Sequence, residues 1–314
     1  MNMGGPASLA EVEGYLRRLF LDPRMIPLPG GPRFRAWLAG FLARRRAPAA
    51  GRRYRQIGGR SPLGAEVRRQ ADRLQDRLRL PVAVAMRYSA PGAEEALAAM
   101  GAAGVERVVA VSLYPQYCRA TTQSSEEDLR QANRRGIDVR FVSDHHDHPL
   151  FIRALAEMPA VALGHPLAEE GRETHVLFAA HSVPLRLVRR GDPYVSQVQR
   201  TAGLLAASAC GPVPWTLAFQ SRVGPVGWQG PSLEEAVRDI RQKGFRRLVI
   251  QPLTFSAENL ETLYDLDILL TEKCRGLGFS EVVRVPAVGD RPAYVEALES
   301  LVREALRGWE ANHV

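Results

Sequence analysis

Two stretches decide the fold: EEALAAMGAAGVERVVAVSLYPQY at 94–117 and EEAVRDIRQKGFRRLVIQPLTF at 234–255. Each opens with two acids and continues with an apolar pattern of helical period. Each then reaches a glycine, Gly104 or Gly244, where a helix C-cap belongs, and ends in a β-branched run beside a proline. A short, almost continuously apolar strand after an amphipathic helix predicts parallel sheet covered on both faces. Leu248 to Phe255 reads as such a strand, and HVLFAAH (175–181) and TLAFQS (216–221) add two more. The fold class is therefore α/β, in two domains of similar architecture, 1–160 and 161–314, with the last helix packing back on the first. The break is expected in 156–171, where Pro159, Gly164, Pro166 and Gly171 cluster. Open parallel sheets bind ligands at the carboxyl ends of their strands. Those ends, NMGGP (2–6), SLYPQY (112–117), AAHSVP (179–184), FQSRVGP (219–225) and LTFSAEN (253–259), are expected to converge on one cleft between the domains.

The totals narrow the function classes. The chain has 314 residues, 46% hydrophobic and 24% charged, as in a soluble globular protein. It has no apolar run of about 20 residues that could span a membrane, and no secretory signal is read at its start. Cys118, Cys210 and Cys274 are scattered, so neither a zinc site, a disulfide framework nor a four-thiolate iron–sulfur cluster is expected, and a cytoplasmic location is. The net charge is +8, and all basic residues but Lys243 and Lys273 are arginine. That balance suits an anionic ligand or surface. The arginines are dispersed and carry no nucleic-acid motif, so nucleic acid is not an expected partner.

Four acids, Glu258, Glu261, Asp265 and Asp267, follow an apolar strand with no Lys or Arg among them. On an α-helix Glu258, Glu261 and Asp265 share one face, where like charges repel. The stripe is either a solvated face or a group awaiting a cation or protons. His181 ends another apolar strand and is either a turn histidine or a group that takes a proton or a borderline metal near neutral pH. The run HHDH (145–148) places its side chains too close in sequence to converge on one ion, so it is read as a loop before a helix near Pro149. The basic and apolar stretch 33–63 reads as a surface helix or as an amphipathic lid that touches a membrane through 33–46. It ends in GGRSP (58–62), a turn without P-loop or GxGxxG spacing.

In order along the chain, NMGGPASLAEVEGYLRRLFLDPRMIPLP, ARRRAP, YRQIGGRSPL, MRYSAP, SLYPQYCRATTQSS, FAAHSVP, GDPYVSQVQRT, FQSRVGPVGWQGPS and FSAENLETLYDLDI make the chain resemble ferrochelatase over essentially its whole length. The resemblance implies two Rossmann-like domains around a cleft and insertion of ferrous iron, as a substrate, into a porphyrin, with no tightly bound cofactor. It places the active-site histidine at His181 and the active-site glutamate at Glu261, both also metal ligands; the acidic stripe itself offers Glu258 and Asp265 as metal or proton relay. Porphyrin-binding positions fall on Met3, Arg46, Tyr54, Ser61, Met86, Tyr117, Ser221 and Trp228. Base and relay are expected on opposite faces of the macrocycle. The start Met3-Gly4-Gly5-Pro6 favours protoporphyrin IX over coproporphyrin, whose enzymes tend to begin Tyr-Gly-Thr-Pro; a non-enzymatic porphyrin carrier is the alternative from another class. The family often has His where this chain has Asn259, and it usually carries apolar residues ahead of NMGGP.

Overall fold

The computed structural model describes residues 1–221 and 226–310. The chain divides into two compact units, one of Met1–Asp144 with Leu298–Val314 and one of His145–Ala297.

The first unit carries α1 (Val12–Leu21), α2 (Pro32–Gln56), α3 (Leu63–Leu78), α4 (Ala93–Ala102), β1 (Arg107–Val111), α5 (Thr122–Ala132) and β2 (Asp138–Val142). β1 and β2 pair in parallel, Arg107 opposite Asp138 through Val111 opposite Val142. The apolar run at 82–85 forms no strand and joins the sheet only through a parallel bridge between Asn2 and Met86. There the start of the chain zips two edges together. The Met1 amino group donates to the Val111 carbonyl at 2.6 Å, and Leu113 N–H donates to the Met1 carbonyl. On the other side Asn2 N–H donates to Ala85, and Arg87 N–H to Asn2. Behind this zipped end the two edges stand apart around an apolar cavity of about 250 Å³, lined by Met1, Val84, Leu97, Val109 and Val302 among others. Burial pushes the Met1 ammonium down to about 5. A second hub is polar: buried Asp22 accepts from Tyr88 Oη at 2.7 Å and from Ser124 Oγ, and pairs with Arg87 at 3.1 Å.

The second unit carries α6 (Pro149–Leu163), β3 (Thr174–His181), α7 (Leu185–Arg189), α8 (Tyr194–Leu205), β4 (Trp215–Gln220), α9 (Leu233–Gln242) and β5 (Arg247–Pro252). A π-helix (Glu261–Leu270), α10 (Thr271–Gly276), β6 (Glu281–Arg284) and α11 (Pro292–Glu310) follow, and α11 runs on into the first unit. The sheet order is β4-β3-β5-β6, all parallel. β3 is buried from Thr174 to Ala180, as its unbroken apolar run requires of a strand covered on both faces. Leu177, Ile250, Ile240 and Leu266 meet in one core cluster. Gly104 and Gly244 follow α4 and α9 at φ 73° and 96°, the left-handed geometry that a residue with a Cβ disfavours.

The expected break at 156–171 falls inside the second unit. Pro159 lies within α6, and Gly164 is that helix's left-handed cap rather than a linker residue. Phe151, Leu155 and Met158 are buried, and the Leu155 carbonyl accepts from Gln251 Nε2 on β5, which ties α6 to this sheet. The HHDH run takes structural parts. His145 is buried against Phe151 and Tyr294, and His148 Nδ1 accepts from Leu150 N–H to cap α6. Among the described residues no helix is long and apolar enough to cross a membrane. On α2, Phe34, Trp37 and Phe41 stack successively and are about half exposed.

Candidate active site

β3 ends on His181, opposite Gln220 at the end of β4. The histidine backbone is held from both sides. Its N–H donates to Thr254 Oγ1 at 3.1 Å, and Tyr194 Oη donates to its carbonyl at 2.9 Å. The ring is fixed as well. Nδ1–H donates to the Ser182 carbonyl at 2.6 Å, so the lone pair of the neutral imidazole sits on Nε2. Nε2 lies 3.3 Å from Glu261 Oε1, and both side chains remain about one-third exposed. Burial lowers the affinity of His181 for its proton, but Glu261, the Ser182 carbonyl and Asp265 together more than offset this and raise its pKa above the ordinary histidine range.

Glu261 opens the π-helix. Asn259 holds that start: its Oδ1 accepts from Glu261 N–H at 2.8 Å and Thr262 N–H at 3.3 Å, while Thr262 Oγ1 accepts from Asn259 N–H. Asparagine is among the best residues for this task, so Asn259 is here a helix cap. The π winding, rare and frequent at functional sites, seats Leu266 and Leu270 in the core.

Two expectations are corrected by this geometry. Glu258 is not on a helix face with Glu261 and Asp265, because it precedes the helix. Its Oε1 accepts from Arg284 Nη1 and from Ala287 N–H at 2.9 Å. Arg284 also forks onto Asp267, through Nε and, at 2.6 Å, Nη2. The counter-charge missing from the acidic stretch thus arrives from β6. Burial opposes the charge on Arg284, and the two carboxylates more than offset this and raise its pKa. The second correction concerns His181 and Glu261, which stand within ion-pair reach of each other. A planar ring needs about 3.5 Å of clearance on each side, so at this separation no macrocycle fits between them.

The remaining predicted positions divide between the units. In the second, Trp228 bridges Pro184 in the loop after His181, and Ser221, at φ 67°, follows the Gln220 that pairs with His181. The end of the FQSRVGP stretch, 222–225, lies outside the described residues. In the first, Met3 accepts from Tyr88 N–H through its carbonyl, and Pro6 accepts likewise from Ser61 N–H. Arg46 is exposed on α2, and Tyr117 is half-buried. Tyr54 and Met86 are buried, Met86 at 2%, so Met86 is a core residue here with no face to offer a ligand. Sequence reasoning missed Arg284 and Gln220. The Gln220 amide is buried beside His181 with no hydrogen-bond partner among the described residues. Among the described residues no three His, Cys, Asp or Glu side chains are grouped to hold a metal.

Comparison with known proteins shows the fold and the family. Solved chelatase-like structures share the fold. SirB from Bacillus subtilis with Fe3+ superposes with TM-score 0.58 at 17% identity over 79% of this chain and 91% of its own. CbiX, described as the terminal enzyme of sirohaem biosynthesis in denitrifying bacteria, gives 0.53 at 20% over 78% and 93%. Ferrochelatase of Geotalea uraniireducens is 38% identical over 98% of this chain and 96% of its own length. That of Aquifex aeolicus is 37% identical over 96% and 97%. The ferrochelatase family model matches residues 1–306. The chain belongs to the ferrochelatase family, the metal chelatases that insert iron into a porphyrin in haem biosynthesis.

Proposed function

We propose that the chain inserts ferrous iron into protoporphyrin IX, with His181 and Glu261 acting together on one face of the macrocycle. The observation that carries this is the 3.3 Å pair of His181 Nε2 and Glu261 Oε1 at the end of β3, with the imidazole tautomer fixed by Ser182. Three obstacles stand in the way of insertion: the planar ring hides its nitrogens, two pyrrole protons must leave, and the ion must shed water. Ring distortion draws on binding energy from the rest of the macrocycle, with Trp228, bridged to Pro184 in the loop after His181, as a candidate wall. Nε2 of His181 is the proton acceptor, its basicity raised by Glu261. Glu261, with Asp265 beyond it on the π-helix, exchanges water for carboxylate oxygen on the ion and passes protons outward. Iron stays ferrous throughout; two protons leave as the ion enters.

The preference for protoporphyrin IX rests on the MGGP start. A Cβ on Gly5 would lie 2.4 Å from Ser61 Oγ, and one on Gly4 2.1 Å from Ser89 Oγ. The Gly-Thr pair of coproporphyrin enzymes therefore does not fit this turn without moving Ser61. Anaerobic mixing with ferrous iron and each porphyrin, followed by absorption, tests the reading. Protoporphyrin IX is expected to metallate at least about tenfold faster in kcat/KM; preference for coproporphyrin overturns the substrate, and no metallation of either overturns the activity.

A peripheral membrane contact through 33–46 fits the same reading, since the substrate is an apolar macrocycle carrying propionates and partitions to membrane surfaces. Phe34, Trp37 and Phe41 form an exposed ridge with Arg44 and Arg45 following it, the composition of an interfacial helix. Vesicles containing anionic lipid should co-sediment with the chain, and Trp37→Ala with Phe41→Ala should release it without loss of stability beyond about 0.5 kcal/mol. Binding unchanged by that pair of substitutions would contradict the contact.

A further inference from the structure

Four carboxylates stand within ten residues, at 258, 261, 265 and 267, yet only two of them are charged neighbours of His181. The other two are held by one guanidinium. Arg284 sits at the end of β6 with its side chain only 13% exposed, binds Asp267 through two nitrogens and Glu258 through a third. We propose that Arg284 acts as a fixed internal cation: it occupies Glu258 and Asp267, so that an arriving divalent ion meets the His181–Glu261 pair without them. The inference rests on the reading of His181 and Glu261 as the metal-handling pair.

The physical reason lies in what transfer demands. An ion that recruited further carboxylates beside the His181–Glu261 pair would be held too firmly to pass into the macrocycle. Hard divalent ions gain affinity with each added oxygen ligand. A guanidinium cannot lose its proton and offers a rigid fork that matches a carboxylate, so it removes both acids from competition at every working pH. Glu258 retains a buried Oε2 without a hydrogen-bond partner among the described residues, a ready oxygen once the guanidinium is gone. The clamp also fixes geometry. It links β6, the loop before the helix and the helix itself through Asp267, and Gln and Asn at the two acids keep neutral amide oxygens as acceptors for the same fork.

The test uses Co(II) alone as the probe, titrated by absorption into the full chain. Arg284→Met, with native circular dichroism, should bind Co(II) at least about tenfold more tightly than wild type, and in turnover both kcat and KM for the metal should fall. Arg284→Lys, which can cover one acid, should lie between. In the background that keeps Arg284, Glu258→Gln with Asp267→Asn should leave Co(II) affinity within about twofold of wild type, because neither acid is an available ligand. Adding Arg284→Met to that pair should abolish the tightening. Folded Arg284→Met binding Co(II) no more tightly than wild type overturns the proposal. So does a loss of about tenfold or more in the Glu258→Gln, Asp267→Asn chain, which decides the matter even if Arg284→Met fails to fold. Glu261→Gln is the control for the underlying reading: if it binds Co(II) as wild type does, the assignment of the metal pair fails, not that of Arg284.

Discussion

The two parallel sheets of this chain come from closely similar sequence units, and they end in different states. In the second unit β3 is flanked by β4 and β5 and is buried over seven successive residues. In the first, β1 has one strand partner, only Ala110 of its five residues is buried, and the apolar run 82–85 borders a cavity instead of a ladder. The same helix–glycine–strand pattern was present in both. The difference lies at the edges: β5, where the pattern ends in the second unit, has a full strand on each side, β3 and β6, whereas β1, among the described residues, has β2 on one side and the zipped tip formed by Met1 and Asn2 on the other. An apolar strand is stable when both edges and both faces are covered, and local pattern alone does not supply the coverage. The contrast also separates tasks, because the groups read as proton acceptor and metal ligand, His181 and Glu261, belong to the better packed unit, as precise placement of reacting groups requires.

The largest change should come from filling the gap. Four alternating Val and Ile residues joined ahead of Met1 can run on between 82–85 and β1 in the register that Met1 already sets. Such a chain should melt several degrees higher, and a Gly-Ser extension of equal length should not. Equal melting of the two would mean that the edges do not accept a strand. Next in size is the contrast between strands. Phe178→Ala in the middle of β3, fully buried, should cost about 3–5 kcal/mol. Val109→Ala, which lines the cavity, should cost about 1 kcal/mol, since its loss only enlarges an existing void. Similar costs in urea unfolding would erase the distinction between the sheets.

A pH effect sharpens the same comparison. The Met1 amine is pushed from 8.0 to about 5 by burial, so between these values the unfolded chain holds a proton that the folded chain lacks. Stability must then rise with pH across that window and level off below about 5, by at most about 4 kcal/mol. The Val-Ile extension replaces the amine by an amide and should flatten the slope. A slope unchanged by the extension would assign it to another group.

The sequence made much of this legible. The helix–glycine–strand pattern placed α4, β1, α9 and β5, and the unbroken run 176–180 placed β3 with His181 at its end, because strand burial writes itself as continuous apolar sequence. The π-helix was not legible: acids at 258, 261 and 265 fit α spacing equally well, and only the packing of Leu266 and Leu270 reveals the wider winding. Nor was Arg284, because a guanidinium 17 residues from Asp267 and 26 from Glu258 leaves no local signal. Asn259 read as a lost imidazole until its hydrogen bonds identified a cap. The break between units was misplaced because a proline and a glycine mark a helix interior and its end as readily as a linker.

The central claim is that His181 and Glu261 work as one pair on one face of the porphyrin. Single-turnover metallation under anaerobic conditions, with porphyrin binding followed separately by fluorescence, tests it in wild type, His181→Ala, Glu261→Gln and the double variant. The account predicts a loss of about 10² or more in each single variant with porphyrin still bound, and no further loss in the double variant, because paired groups fail together. Multiplicative losses in the double variant, or near wild-type turnover in either single one, would contradict it.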